Sequence, residues 1–339
     1  MREAYRKGWL RALEHPSLPL GPEGTAAKAA GKKKGLSKAR RRSYRLSYAQ
    51  GIRASWKSQL LKQNKKRDLS IIIPAMNEQS TIGKVLRQAK RLKPREIIVV
   101  CNGSTDKTTL IAQAYGCVVL NYDRPLGHDI GRALGAEHAK GEILLFLDAD
   151  FAVKAEELLP FVRSIDSGAD LALNHLEPLL PRPSARDTIS NVKQWLNVSL
   201  QRPDLGSASL TAVPHAVRRS FIQPFGMSCL SVPPKAQLQF LQAGAKAVLA
   251  NCVDVIKPNR LRRHNGALGK RNKVEEMIVG DHIEAVAWLQ EQEVGVRGIT
   301  EAADTQWSAL SPDELNVDKV DTTTLSTEET TGLRSPSEE

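Results

Sequence analysis

From residue 69 onward the chain alternates between two hydrophobic patterns. Short continuous apolar runs occur at Leu69 to Pro74, Glu96 to Cys101, Cys117 to Asn121 and Glu142 to Leu147, and the spacing between them is helical at Ser80 to Leu92, Lys107 to Tyr115 and Ile130 to Ala139. Apolar runs of five or six residues, interleaved with amphipathic stretches of nine to thirteen, predict strands joined by crossover helices, hence right-handed βαβ units and a mostly parallel sheet. Further on, Leu158 to Ile165 reads as helix, Asp170 to Leu173 as extended, and Thr188 to Leu200 as an amphipathic helix with Trp195 and Leu196 on its apolar side. Val248 to Val255 is another strand candidate, and Glu275 to Glu291 has helical periodicity. The fold class expected is α/β, a mostly parallel central sheet flanked by helices.

Upstream, residues 1 to 14 and 44 to 63 also have helical spacing, and each holds Tyr-x-x-Gly, at Tyr5/Gly8 and Tyr48/Gly51. A linker rich in Gly, Pro, Ala and Lys separates them. Lys and Arg crowd residues 1–67, whereas residues 300–339 are acidic and Ser/Thr-rich, so the net charge of +12 belongs mainly to the first segment. The chain therefore divides into a basic, partly helical extension (1–67), a folded domain (68–299, with halves 68–151 and 152–299) and an acidic tail (300–339) too poor in apolar residues to fold. A basic arm suits an anionic membrane or polymer; nucleic acid is not the partner expected. Four widely spaced cysteines, without a CxxC pair, suggest neither a zinc site nor a disulfide framework. No run is long and apolar enough for a spanning helix, and the first residues lack a signal-peptide core. The expected location is the cytoplasm, with peripheral attachment at the inner face of the membrane as its variant.

Chemistry concentrates at the ends of the apolar runs. The run at 144–147 delivers Asp148 and Asp150 to its carboxyl end, where alternation puts both carboxylates on one side. The first run ends in Pro74 and continues through Asn77 and Glu78; the second ends in Asn102-Gly103-Ser104-Thr105-Asp106. Each piece alone is compatible with ordinary helix capping. All three open on one edge of a parallel sheet, the edge where ligands of open α/β sheets bind.

Together, Ile71-Ile72-Ile73-Pro74 with Asn77-Glu78, Ile97 to Val100 with Asn102 to Asp106 and Thr108, Gly131-Arg132-Ala133 with Gly135-Ala136, and Leu147-Asp148-Ala149-Asp150 resemble family 2 glycosyltransferases of the A-type nucleotide-diphospho-sugar fold. The resemblance covers about Leu69 to Phe151. It implies a divalent-cation-dependent transfer of a hexose from a UDP- or GDP-sugar, inverting by analogy, to an acceptor such as a polysaccharide or a polyprenyl phosphate. It implies that Pro74, Asn77, Glu78, Asn102, Ser104 and Asp106 hold the nucleoside, with Asn102 standing where many members have Asp. Arg132 would face the diphosphate, Asp148 the ribose or metal-bound water, and Asp150 the Mg²⁺ or Mn²⁺. His264, in a basic cluster with Arg260, Arg262 and Arg263, is the candidate third metal ligand; His128 and His215 are further candidates.

One departure stands out. Many members place an acidic pair before a helix and a Gly as the acceptor's base, but the matching segment Pro233 to Gly244 contains no acid. Asp281, expected at a helix start after Gly280, Asp254 and Glu284 are the substitute bases. A phosphate acceptor would need none, being already ionised. A non-catalytic module that binds nucleotide sugars, or attaches to surfaces through its basic arm, is the reading from a different class. A nucleotidyltransferase is disfavoured, because the Gly-rich basic first loop of such enzymes is absent.

Overall fold

In the computed structural model, residues 3–4, 7–8, 11, 38–62, 68–127, 129–256 and 274–291 are described. They belong to a compact unit ending at Trp288, apart from residues 289–291 of a second unit. The expected linker, the basic loop with Arg260, Arg262, Arg263 and His264, His128 and the acidic tail lie outside the described residues.

The expected strands and helices form in the expected order. They are α1 (Lys38–Lys62), β1 (Leu69–Ala75), α2 (Ile82–Lys90), β2 (Glu96–Asn102), α3 (Thr108–Ala114), β3 (Val118–Tyr122), α4 (Ile130–His138), β4 (Ile143–Phe146), α5 (Ala155–Asp166) and β5 (Leu171–Asn174). Then come α6 (Thr188–Ser199), β6 (His215–Arg218), α7 (Pro233–Gln242) and β7 (Ala247–Asn251), and residues 274–288 form a helix, α8. The strands make one seven-stranded sheet in the order β3-β2-β1-β4-β6-β5-β7. β1 pairs in parallel with β2 and β4, while β6 runs antiparallel to both β4 and β5. The sheet is thus mostly parallel, with one reversed strand that the apolar pattern did not announce.

Packing explains why the first three core strands read as unbroken apolar runs. Ile71, Ile73, Val99 and Leu145 face one side of the sheet and Ile72, Ile98, Val100 and Leu144 the other, and all are fully buried. A strand covered on both faces has no polar side. On one side α2 contributes Ile82, Val85, Leu86 and Ala89, an i, i+3, i+4, i+7 stripe. On the other, α4 lies so close that a Cβ on Gly135 would stand 2.4 Å from Ile72 Cγ2.

Helix α5 buries Leu158, Leu159, Phe161, Val162 and Ile165, more than one face can direct at a sheet. Its outer side is covered by α1, whose Tyr44, Tyr48, Ile52, Trp56 and Leu60 recur every four residues and join the same core. Arg53 adds an ion pair to Glu157 at 3.6 Å. The helical part of the basic extension is therefore packed into the body. Gly8 lies against it too: a Cβ there would come within 2.0 Å of the Tyr48 carbonyl oxygen.

Helix α6 departs from expectation. Leu196 is buried, but Trp195 is 52% exposed, and the buried face also holds Ser190, Lys193 and Asn197. That face meets backbone rather than apolar side chains. Asn197 Nδ2 donates to the carbonyls of Gly206 (2.8 Å) and Ala208 (2.9 Å), and its Oδ1 accepts from Gln237 Nε2 at 2.7 Å. Carbonyls turned inward need donors, which reverses the usual apolar pattern.

Candidate active site at the carboxyl edge of the sheet

Because β1, β2 and β4 are parallel, the loops at 75–79, 102–108 and 147–151 leave the sheet at one edge. The first two are braced against each other. Asn77, with φ of 56°, turns the chain after β1, a left-handed conformation that Asn tolerates. Its N–H donates to Ser104 Oγ at 3.2 Å, and its Oδ1 accepts the Thr105 N–H at 2.9 Å. The Glu78 N–H donates to Thr108 Oγ1 at 2.8 Å and the Gln79 N–H to Asp106 Oδ2 at 3.0 Å. Burial pushes the Asp106 carboxyl pKa up, but bonds from the Thr108 hydroxyl, the Thr108 amide and the Gln79 amide outweigh it and leave the pKa below the ordinary value. Asn77, Glu78, Ser104 and Asp106 are thus brought together as expected, and their first visible task is to fix the two loops as one rigid lip.

Asn102 is tied into the loop that precedes α4. Its side chain is buried; Nδ2 donates to the Gly127 carbonyl (2.7 Å) and Oδ1 accepts the Leu126 N–H (2.7 Å). Both ends of the amide bond to the loop before α4, so this residue shapes the wall beside the lip. Gly103 beside it has φ of 76°, and a Cβ there would stand 2.8 Å from the Pro125 ring.

Arg132 is likewise committed. It is 6% exposed, pairs with Asp129 at 2.9 Å, and donates to the carbonyls of Leu210 (3.2 Å) and Thr211 (3.5 Å). The guanidinium expected to face a diphosphate instead holds the loop before β6. Gly131 and Gly135, in the same segment, permit close packing on Pro74 and Ile72.

Asp148 and Asp150 follow β4, both half-buried. Asp148 lines a small pocket with Val85, Leu147, Phe151, Val153, Val213 and Pro214. Oδ1 of Asp150 is shut off from solvent, and a carboxylate oxygen in that state calls for a positive or donating neighbour. Two carboxylates at one strand end are hard oxygen donors of the kind Mg²⁺ and Mn²⁺ take, so the residues present fit a divalent cation. Among the described residues no group of three or more His, Cys, Asp or Glu is gathered around a metal position.

His215 does not supply a third ligand. It opens β6 opposite Phe146, is 1% exposed, stacks on the Phe146 ring with centroids 4.8 Å apart, and shares Nδ1 with the Ala212 carbonyl at 3.0 Å. Burial, helped by the nearby Arg132 charge, lowers its pKa to about 3 against the opposing effect of that hydrogen bond. It is a neutral core histidine.

Two of the candidate bases, Asp281 and Glu284, lie one turn apart on α8, and Asp254 follows β7. Asp281 lies inside α8, which already begins at 274, and so is not the helix-start residue expected. Glu284 is ion-paired with Lys235 at 3.2 Å, and Asp254 accepts the Ile256 N–H at 3.2 Å just after β7. The segment without an acid forms α7, and Gly244 follows with φ of 82°, so helix and turn exist without the carboxylates. Sequence reasoning also missed three buried polar residues, Asp129 just before α4, Lys193 in α6 and His282 in α8, each at most 9% exposed.

Three comparisons bear on this arrangement. The family model described as glycosyl transferase family 2 matches residues 70–176. The 4,4'-diaponeurosporenoate glycosyltransferase of Staphylococcus haemolyticus is 36% identical over 113 residues, 30% of this chain and 30% of that protein. The undecaprenyl-phosphate 4-deoxy-4-formamido-L-arabinose transferase of Edwardsiella ictaluri is 31% identical over 114 residues, 30% and 35% of the two chains. The chain thus spans about a third of the length of these relatives. Among solved structures, glucosyl-3-phosphoglycerate synthase of Mycobacterium tuberculosis with Mn²⁺, UDP-glucose and phosphoglyceric acid aligns over 68% of this chain and 83% of that one, at 19% identity and a TM-score of 0.49.

Proposed function

Given that the chain belongs, through residues 70–176, to glycosyltransferase family 2, we propose that it transfers a hexose from a UDP- or GDP-sugar to an acceptor, with a divalent cation and with inversion. The observation that carries this reading is the meeting of Asp148 and Asp150 with the braced loops at 75–79 and 102–108 on one sheet edge. Asp150, with Asp148, would hold the Mg²⁺ or Mn²⁺. When bound, that ion supplies Lewis-acid stabilisation of the charge left on the nucleoside diphosphate.

The chain's own residues set the rest. The lip built by Asn77, Ser104, Thr105 and Asp106 fixes the nucleoside's bed, and Asn102 and Gly103 keep the 125–127 wall beside it. Arg132 holds the loop at 210–211 near the acceptor side. A hydroxyl acceptor, as on a polysaccharide, needs a base, for which Asp254, Asp281 and Glu284 are the candidates. A polyprenyl phosphate needs none. The absence of acid from α7 favours the phosphate, and the name of the Edwardsiella relative is in keeping with it. The basic extension would then bring the protein to an anionic inner membrane face; no described helix is long and apolar enough to cross one.

The test is release of UDP or GDP from the sugar nucleotide by the full chain. Release should require Mn²⁺ or Mg²⁺, stop with EDTA, and fall at least a hundredfold in Asp150→Ala. Unchanged turnover in that variant would overturn the metal assignment. Binding of the sugar nucleotide without any turnover would favour the non-catalytic module instead.

A further inference from the structure

β6 runs antiparallel to β4 and starts opposite Phe146, so the chain that enters it lies at the carboxyl edge of the sheet. That chain is buried. From Ser207 to Val217 every residue is buried except Thr211, which is half-buried. A loop out of reach of water must find partners for its backbone inside the protein, and side chains from several elements supply them. Glu177, after β5, accepts the Ser207 N–H at 3.0 Å. Asn197 of α6 donates to the Gly206 and Ala208 carbonyls, Gln237 of α7 accepts the Leu210 N–H at 2.8 Å, and Arg132 of α4 donates to the Leu210 carbonyl. Asn174, which ends β5 and is fully buried, donates to the Val213 carbonyl at 3.2 Å and to the Val253 carbonyl at 3.1 Å. The loop is clamped along its length, with one side chain brought to the surface.

That side chain is itself held. Thr211 Oγ1 donates to Ser209 Oγ at 2.9 Å, and the Thr211 N–H donates to the same oxygen at 3.2 Å. With its proton directed at Ser209, the Thr211 hydroxyl meets a ligand through its lone pairs, as an acceptor. Such a group suits an incoming O–H and not the unprotonated oxygens of a diphosphate, which bring lone pairs of their own.

The position says whose O–H it is. Val213 and Pro214, two and three residues on, line the pocket that Asp148 also lines, so Thr211 is no more than about 7 Å of chain from that pocket's wall. Along the sheet order β3-β2-β1-β4-β6, the nucleoside lip belongs to β2 and β1, the two acids to β4, and Thr211 to the next strand. A sugar nucleotide laid along this edge places its nucleoside on the lip, its diphosphate at the acids and its hexose beyond them.

We propose that Thr211 is a specificity-determining residue of the transfer: its hydroxyl accepts a hydrogen bond from a hydroxyl of the hexose, and the clamped loop fixes where that bond forms. This rests on the reading of the chain as a sugar transferase and deepens it by naming the residue that reads the sugar. A rigid acceptor loses little ordering entropy on binding and discriminates between epimers that differ in the direction of one hydroxyl.

The experiment compares the full chain as wild type, Thr211→Val and Thr211→Ser. The first change removes the hydroxyl at nearly constant volume; the second keeps it. With Mn²⁺ present, each protein is titrated with UDP-glucose, UDP-galactose, UDP-N-acetylglucosamine and GDP-mannose, and with UDP and GDP alone to report on the nucleotide site. The donor that the wild type binds most tightly should bind roughly tenfold more weakly to Thr211→Val and within about twofold of wild type to Thr211→Ser, while UDP and GDP bind all three proteins equally. Unchanged binding of that donor in Thr211→Val overturns the inference alone. So does a loss shared by UDP and GDP, which marks a displaced loop, or a wild type that binds all four donors equally. A wild type that binds none of the four overturns the transferase reading, and this inference with it.

Discussion

The His215 imidazole lies 25° from parallel with the Phe146 ring, centroids 4.8 Å apart, two residues before Asp148. The strand that delivers the acids is thus clamped by a histidine that stays neutral. Its pKa, lowered to about 3 by burial and by Arg132, sits below the ordinary value near 6.5, so between those values the unfolded chain binds the extra proton. Stability must therefore fall as pH drops through that window. About 2 kcal/mol should be lost from this residue between pH 7 and pH 5. Urea unfolding at the two pH values checks it: His215→Phe should flatten the slope, and an identical slope would refute the linkage.

Asn102→Asp is a sharper test of the lip. The change brings in the residue type that the family resemblance implies at this place, yet the new carboxylate oxygen would face the Gly127 carbonyl that Nδ2 now satisfies. A loss of about 1–3 kcal/mol is expected, with faster hydrogen exchange at 125–127. Improved stability would mean the amide's two bonds are not what hold that wall.

Much of the donor side was legible because the physics is local. Strands β1, β2 and β4 are covered on both faces, so Ile71–Ile73, Ile97–Val100 and Leu144–Leu147 read as continuous apolar runs, and Asp148 and Asp150 could be placed at an edge from order alone. Non-local partners were not legible. Asn102 and Arg132 are residue types that suit a nucleotide, but they are committed to Leu126, Gly127, Leu210 and Thr211, which only the fold brings near. Strand β6 is four residues long, begins with a histidine and ends with an arginine, and owes its existence to pairing with β4 and β5.

Arg132 and Asp129 should depend on each other. Replacing Arg132 by Met leaves a carboxylate that is 9% exposed without its cation, and two carbonyls without a donor. The expected cost is about 3–5 kcal/mol. The double change with Asp129→Asn should recover part of it, measured as the coupling in a double-mutant cycle. Independent, additive losses would show that the pair is not the unit holding the 210–211 loop.

Helix α6 supplies the last contrast. By hydrophobicity Trp195 should matter and Asn197 should not. The structure reverses this, because Trp195 is 52% exposed while Asn197 is fully buried and links Gly206, Ala208 and Gln237. Trp195→Ser should change stability by no more than about 0.5 kcal/mol, whereas Asn197→Leu should cost about 3 kcal/mol, since two inward carbonyls and the Gln237 amide lose their partner. Chemical denaturation of both variants decides it. If the tryptophan change proves the more damaging, α6 is rotated from the orientation described, and the buried position of Lys193 falls with it.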